Sequence, residues 1–167
     1  METKRMTRIY DDSFNVGDII SFTLESGEEA EVMAMKAEKD GMVFAFCDCI
    51  AEAKPMRRGD FSLPEWLNEE LVNKMPAEIK DKLVPFEDGS LMRLMSEMEV
   101  FGERIFSSEN EVDEQYEPMK NRKNRVAGYG KNGIEGEYAG WWLRSVCGGT
   151  YFCLVTGDGI AGTGNAS

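Results

Sequence analysis

Residues 18–49 read DIISFTLESGEEAEVMAMKAEKDGMVFAFCDC. Their alternation decides the fold class. From Asp18 to Leu24, Ile20, Phe22 and Leu24 fall on one side of a strand, and Ser21 and Thr23 fall on the other. Glu25-Ser26-Gly27-Glu28 reads as a turn, and Glu29 to Lys36 alternates again. Lys39-Asp40-Gly41 reads as a second turn, because Asp-Gly suits a tight hairpin. Met42 to Cys49 is apolar at nearly every position, as a central strand covered on both faces would be. Together these segments predict an antiparallel β-meander.

Past the meander the period changes. Leu63, Leu67 and Leu71 recur every four residues, which predicts an amphipathic helix ending near Met75. Ser62 and Glu65 have capping-box spacing at its start, and Ser96 and Glu99 repeat that spacing before Gly102. Pro76 suits the first turn of another helix, with Ile79 and Leu83 inward and Pro85 as its stop. Residues 106–115 (FSSENEVDEQ) read as an exposed acidic loop, followed by the basic hexad Lys120 to Arg125. Eleven of the 17 glycines lie at or after Gly128, and from Tyr138 onward only Arg144 and Asp158 are charged. Trp141 to Val146 and Tyr151 to Val155 read as strands joined by glycine turns. The chain is therefore expected to be α+β. Residues 1–16 read as an N-terminal arm and 17–167 as a single domain. Within it lie a meander (17–50), a part with two to three short helices (62–102), a polar loop region (106–137) and a glycine-rich antiparallel β region (138–167).

Composition excludes several chemistries. Asp and Glu number 31 against 19 Lys and Arg, giving a net charge of −12, and histidine is absent. A chain this acidic does not suit phosphate neutralisation, so no nucleic-acid partner is expected. Without imidazole, the Ser-His-Asp and Cys-His arrangements are impossible. The four cysteines, Cys47, Cys49, Cys147 and Cys153, have spacings that suit zinc poorly and are read as reduced thiols. No metal and no cofactor are expected. No apolar run approaches a membrane span and the start has no secretory h-region. The chain is expected in the cytoplasm as synthesised and not at a membrane.

The remaining motifs are weak as chemistry. Residues 109–114 (ENEVDE) lack the glycine and register of a calcium loop. Glu69, Glu70, Glu97 and Glu99 are candidates for a carboxylate pair by composition only. The Gly157–Gly159 segment follows no phosphate-loop pattern and reads as a hairpin turn. Trp141-Trp142-Leu143-Arg144-Ser145 is the most informative stretch. On a strand its two tryptophans point to opposite faces. Arg144, nearly alone in uncharged sequence, needs an acidic partner if buried, expected from the first half of the chain.

These residues, with the Trp66-Leu67-Asn68 helix and the 97–102 segment EMEVFG, resemble an uncharacterised bacterial domain family of Gram-positive gut bacteria and their prophages. That family's pattern runs from a meander through a WLN-like helix and an LPSExEvFG-like segment to WWLRS and a closing GVRPA strand. Met95 here stands where the family tends to have proline. The chain stops at Ser167, where the closing strand would be expected, which would leave a sheet edge open. The resemblance implies a C-type-lectin-like layout of the C-terminal half. It makes Trp141, Trp142 and Arg144 the scaffold and 148–165 the display surface, with Tyr151, Asp158 and Asn165 as the residues suited to ligand contact. The function expected is a non-enzymatic binding or structural module, prophage- or surface-associated, for a protein or glycan ligand. Incorporation into a phage particle and homo-oligomerisation are both open. The alternatives are a carboxylate-based hydrolase and a scaffold protein that self-assembles through an open C-terminal sheet edge.

Overall fold

A computed structural model describes residues 2–9, 13–50, 53–128 and 138–167. It is α+β, built on the expected meander. Strands β2 (Ile19–Thr23), β3 (Glu29–Glu38) and β4 (Gly41–Phe46) pair antiparallel in sequence order. The β3–β4 loop is Lys39–Asp40, and Gly41 opens β4 opposite Glu38, one residue earlier than the turn reading placed it. A bulge between Ala34 and Lys36 shifts the register of β3.

The N-terminal arm is a correction. Met6–Ile9 form β1, buried along its whole length between β4 and the short β7 (Met92–Arg93). The sheet order is β2-β3-β4-β1-β7. The charges that made this segment look like an arm have partners inside. Arg5 stacks over Phe46 at 3.9 Å and pairs with Glu28 at 2.8 Å. Arg8 pairs with Glu38 at 3.1 Å and also donates to the Pro85 carbonyl.

Both faces of the large sheet are covered, because β4 alternates strictly. Met42, Phe44 and Phe46 face one apolar cluster, and Val43 and Ala45 face the other. On the first face lies the helical stretch 63–74. It starts as α1 (Leu63–Trp66), widens to a π turn (Leu67–Leu71) and closes as a 3-10 turn (Val72–Lys74). Its leucines pack inward as their spacing predicted. Ser62 makes no side-chain cap, so that capping box is not formed. Helix α2 (Ala77–Lys80) is one turn long, shorter than predicted, although Ile79 and Leu83 pack on the core. Strands β5 (Arg57–Arg58) and β6 (Phe61–Ser62) form a small ribbon beside α1, with Arg57 donating its amide to Ala166.

The C-terminal part is a three-stranded antiparallel sheet of β10 (Trp141–Gly148), β11 (Tyr151–Val155) and β12 (Ala161–Asn165). A two-residue pair, β8 (Ala127–Gly128) with β9 (Tyr138–Ala139), precedes it. Trp141 and Trp142 enter opposite clusters, as alternation requires. The outer edge of β10 is lined by Glu2, which bridges Trp141 in parallel, and by Met95, which accepts the Arg144 amide. Glycines set how closely β12 lies over the core. A Cβ at Gly164 would stand 2.9 Å from a Leu154 methyl and 3.1 Å from the Trp142 ring. Gly164→Val is therefore expected to cost about 1–3 kcal/mol by overpacking. Urea unfolding checks this, with Thr163→Val, an exposed neighbour, as the near-neutral control.

Candidate functional site

Helix α3 (Glu97–Phe101) is short, but its first turn organises the C-terminal half. Ser96 caps it: its Oγ accepts the Glu99 amide at 3.1 Å, while Glu99 Oε1 accepts the Ser96 amide at 2.8 Å. Gly102, at φ +73°, ends it in the left-handed conformation. This capping box forms as its spacing predicted.

Glu99 does more than cap. Its side chain is almost fully buried and is bonded to Arg144, as the sequence required of that arginine. The partner lies outside the first half of the chain, where it was expected. Arg144 also reaches Asp113 at 3.2 Å and the Leu94 carbonyl at 2.8 Å. The other Glu99 oxygen accepts the Tyr116 hydroxyl at 2.6 Å and lies 3.5 Å from Arg93. Burial alone would push the Glu99 carboxyl up. The Arg144 charge and hydrogen bond, with those of Tyr116 and Ser96, outweigh it and hold the group below the usual carboxylate range. Burial, reinforced by the Glu99 charge, pushes the Tyr116 phenol up, so it stays a donor.

Glu97, two residues away, points to a different set of donors. Its fully buried carboxylate accepts the amides of Ile105 at 2.7 Å, Phe106 at 3.0 Å and Ser107 at 3.0 Å. The Glu97 amide donates to Ser145 Oγ at 2.9 Å, and the Ser145 hydroxyl donates to Glu111. Ser108 then bonds the Val146 carbonyl through both its amide and its hydroxyl. The segment 105–108 is thus fastened along β10 while the side chains of Ile105 and Phe106 stay 43% and 46% exposed. The acidic loop was expected to be solvated. Phe106, Ser108, Glu109, Asn110, Val112 and Glu114 are exposed, but Glu111 and Asp113 turn inward as partners of Ser145 and Arg144.

The residues singled out in the sequence fall into two groups. Trp141 and Trp142 are buried, with indole nitrogens donating to the carbonyls of Arg125 and Lys54, and Arg144 belongs to the ion-pair network. Tyr151 and Asn165 are register partners on β11 and β12, both exposed. Asp158 is not with them. It sits in the turn at the other end of that hairpin, bonded to Thr156 and 3.5 Å from Arg122. The Thr156 hydrogen bond is the main reason its carboxyl lies below its ordinary value. The Arg122–Asp158 pair and a Lys120–Glu117 pair at 2.7 Å account for part of the basic hexad. Of the carboxylates considered for acid–base work, Glu97 and Glu99 are buried and bonded, while Glu69 and Glu70 lie on the outside of the helical stretch. Among the described residues no cluster of three or more Cys, Asp or Glu side chains could hold a metal ion. The four cysteines are free, and no described helix is long and apolar enough to cross a membrane.

Sequence reasoning missed Glu97, Glu111, Asp113 and Tyr116 as members of this network. It also missed Asn68 of the WLN segment. That side chain accepts the amides of Leu91 and Met92 and donates to the Met92 carbonyl, so it fastens β7 to the helical stretch.

No curated protein and no solved structure matches the chain. A family model does match, over residues 59–167. That span begins after the meander and contains the helical stretch, the Ser96–Gly102 cap, the Glu97 and Glu99 networks and the whole C-terminal sheet. On this match, which covers more than half of its length, the chain belongs to the family described as a domain of unknown function, DUF6273.

Proposed function

We propose that the chain is a non-enzymatic recognition module, lectin-like in layout and associated with a phage particle or a cell surface. Its ligand rests on the outer end of the C-terminal sheet. The observation that carries this reading is the Tyr151–Asn165 pair: an aromatic ring and an amide directly opposite each other, both exposed, where the rest of β11 is buried. Thr163 lies two residues further along the same side of β12 and is also exposed. The Asn165 side-chain oxygen is taken by Ser167, which leaves the amide NH2 as the group a ligand would meet. Tyrosine, threonine and asparagine on rigid backbone suit recognition, since little side-chain entropy is lost on binding. Of the two ligand classes expected, a glycan suits them best, because its C–H face stacks on a ring and its hydroxyls pair with amides. The hydrolase alternative is weakened because Glu97 and Glu99 are committed to internal hydrogen bonds.

A glycan array probed with the chain tests this reading. Tyr151→Ala is expected to weaken a bound glycan by about tenfold or more, the usual scale for truncating an aromatic anchor. Asn165→Ala should weaken it less, and Asp158→Ala, at the far end of the hairpin, should leave it unchanged. Full affinity in Tyr151→Ala, or an array on which the wild-type chain binds nothing, overturns the reading.

A further inference from the structure

Lys4 is a lysine where the fold calls for an apolar residue. It lies two residues before the start of β1, and alternation puts it on the side of Met6, which packs in the second cluster with Trp141. The residue is 2% exposed. Its Nζ lies 4.8 Å from the Trp141 ring centroid and donates to the Asn124 carbonyl at 3.2 Å. Among the described residues it has no ion-pair partner. Burial lowers its ammonium from the ordinary lysine value, against weaker opposing pulls from Cys49, Cys47 and Asp48. The two thiols supply no counter-charge near neutrality, since burial pushes Cys47 up to about 11 and Cys49 up to about 12.

Beside this amine is a cavity of about 140 Å³, lined by Lys4, Met33, Met35, Cys47, Asp48 and Asn124 among others. It is close to the roughly 150 Å³ that takes a benzene-sized molecule. A buried amine and a carboxylate on one small cavity are the two groups that imine formation uses. We propose that Lys4 is a carbonyl-reactive lysine that takes a small uncharged aldehyde of benzene size or less in this cavity. This inference does not rest on the recognition surface at Tyr151. The amine nitrogen forms a bond to the carbonyl carbon, and the C–O π pair moves to oxygen. A proton passes from nitrogen to that oxygen. The nitrogen lone pair then expels the hydroxyl, which takes the second nitrogen proton and leaves as water. Asp48 is the group placed to relay these protons. Amine and aldehyde give imine and water, with no change of oxidation state.

Butanal with sodium cyanoborohydride, applied to the intact chain at neutral pH, tests the assignment by reducing any imine to a stable secondary amine. A lowered ammonium leaves more neutral amine at a given pH. Peptide mapping is therefore expected to show Lys4 alkylated faster than the exposed Lys36 and Lys39. An alkylated Lys4 blocks tryptic cleavage and appears in a Met1–Arg5 peptide, where fragmentation separates it from the α-amine. The comparison is made within one protein, so it does not depend on a variant that folds. Lys4→Met should remove the fast adduct and leave the surface rates alone, and Asp48→Asn should slow Lys4 only. Alkylation of Lys4 no faster than the surface lysines overturns the proposal, and an unchanged Lys4 rate in Asp48→Asn overturns the relay.

Discussion

Arg144→Met is expected to lower the unfolding free energy by about 3–5 kcal/mol, the usual loss when one partner of a buried ion pair is removed. The reason lies on the carboxylate side. Glu99 is 3% exposed at its side chain, and Arg144 supplies its strongest donor. Without the guanidinium, Tyr116, Arg93 and the Ser96 amide remain, but the main counter-charge at Oε1 is gone. The Arg144→Met, Glu99→Met double variant should recover much of the loss, because then neither charge is left buried. Urea unfolding of the four proteins of this cycle gives the coupling directly. The effect should also depend on pH with a definite sign. In the wild type the folded Glu99 carboxyl lies below its unfolded value of about 4.3. Its stabilisation is therefore full above that unfolded value and is lost as pH falls through the lowered one. In Arg144→Met, burial prevails and raises the carboxyl, so the folded state binds the proton more readily than the unfolded. The gap between the two proteins should be widest near neutrality and shrink on acidification, first as pH falls through the raised carboxyl of the variant and then through the lowered one of the wild type. A gap that stays constant from pH 7 to pH 3 would show that Arg144 stabilises by packing alone.

What the sequence made legible follows from the range over which its signals act. Met42 to Phe46 could be placed as a central strand, because both faces of a buried strand are apolar and five consecutive residues say so. Trp141 and Trp142 could be put on opposite faces, because a strand has period two. Ser96 and Glu99 could be read as a cap, because the whole interaction spans four residues. The N-terminal arm was misread for the opposite reason. Residues 2–9 carry four charges, and whether they are solvated or buried depends on Glu28 and Glu38, 23 and 30 residues away from their arginines. No local pattern encodes that distance. The acidic loop shows the same limit at finer grain. Glu109, Glu111, Asp113 and Glu114 look equivalent as composition. Only the position of Ser145 and Arg144, some thirty residues further on, selects the two that turn inward. Ser62 and Glu65 had the spacing of a cap and made none, because a motif states what a backbone can form and the neighbouring β5–β6 ribbon decides what it does form. For the candidate recognition surface, residue type pointed to Tyr151, Asp158 and Asn165 alike. Register separated them, since Tyr151 and Asn165 are opposite each other and Asp158 is a hairpin away.

Glu97→Gln carries the second large effect. The carboxylate accepts three consecutive amides, those of Ile105, Phe106 and Ser107. A glutamine keeps one acceptor oxygen and turns an NH2 group toward donors that already point inward. Each hydrogen bond to a charged group is worth about 1.5–3 kcal/mol, and a buried donor left unmet costs a similar amount. A total loss of about 3 kcal/mol is expected in urea unfolding. Glu103→Gln, five residues before Ser108 and exposed, should lie within about 0.5 kcal/mol of the wild type. Hydrogen exchange distinguishes local release from general weakening. If the carboxylate holds the segment, amides 105–107 should exchange much faster in Glu97→Gln than the extra global unfolding alone would produce, while those of β11 should track the global loss. Exchange at 105–107 that rises only in step with β11 would mean that the Ser108–Val146 bonds suffice to fasten the segment. Among the described residues Ile105 and Phe106 are large apolar side chains that stay exposed, and the buried Glu97 carboxylate accepts the amides of both. A hydrophobic pair whose backbone is tied to an internal carboxylate remains outward because turning it inward would strand that charge without its three amide donors.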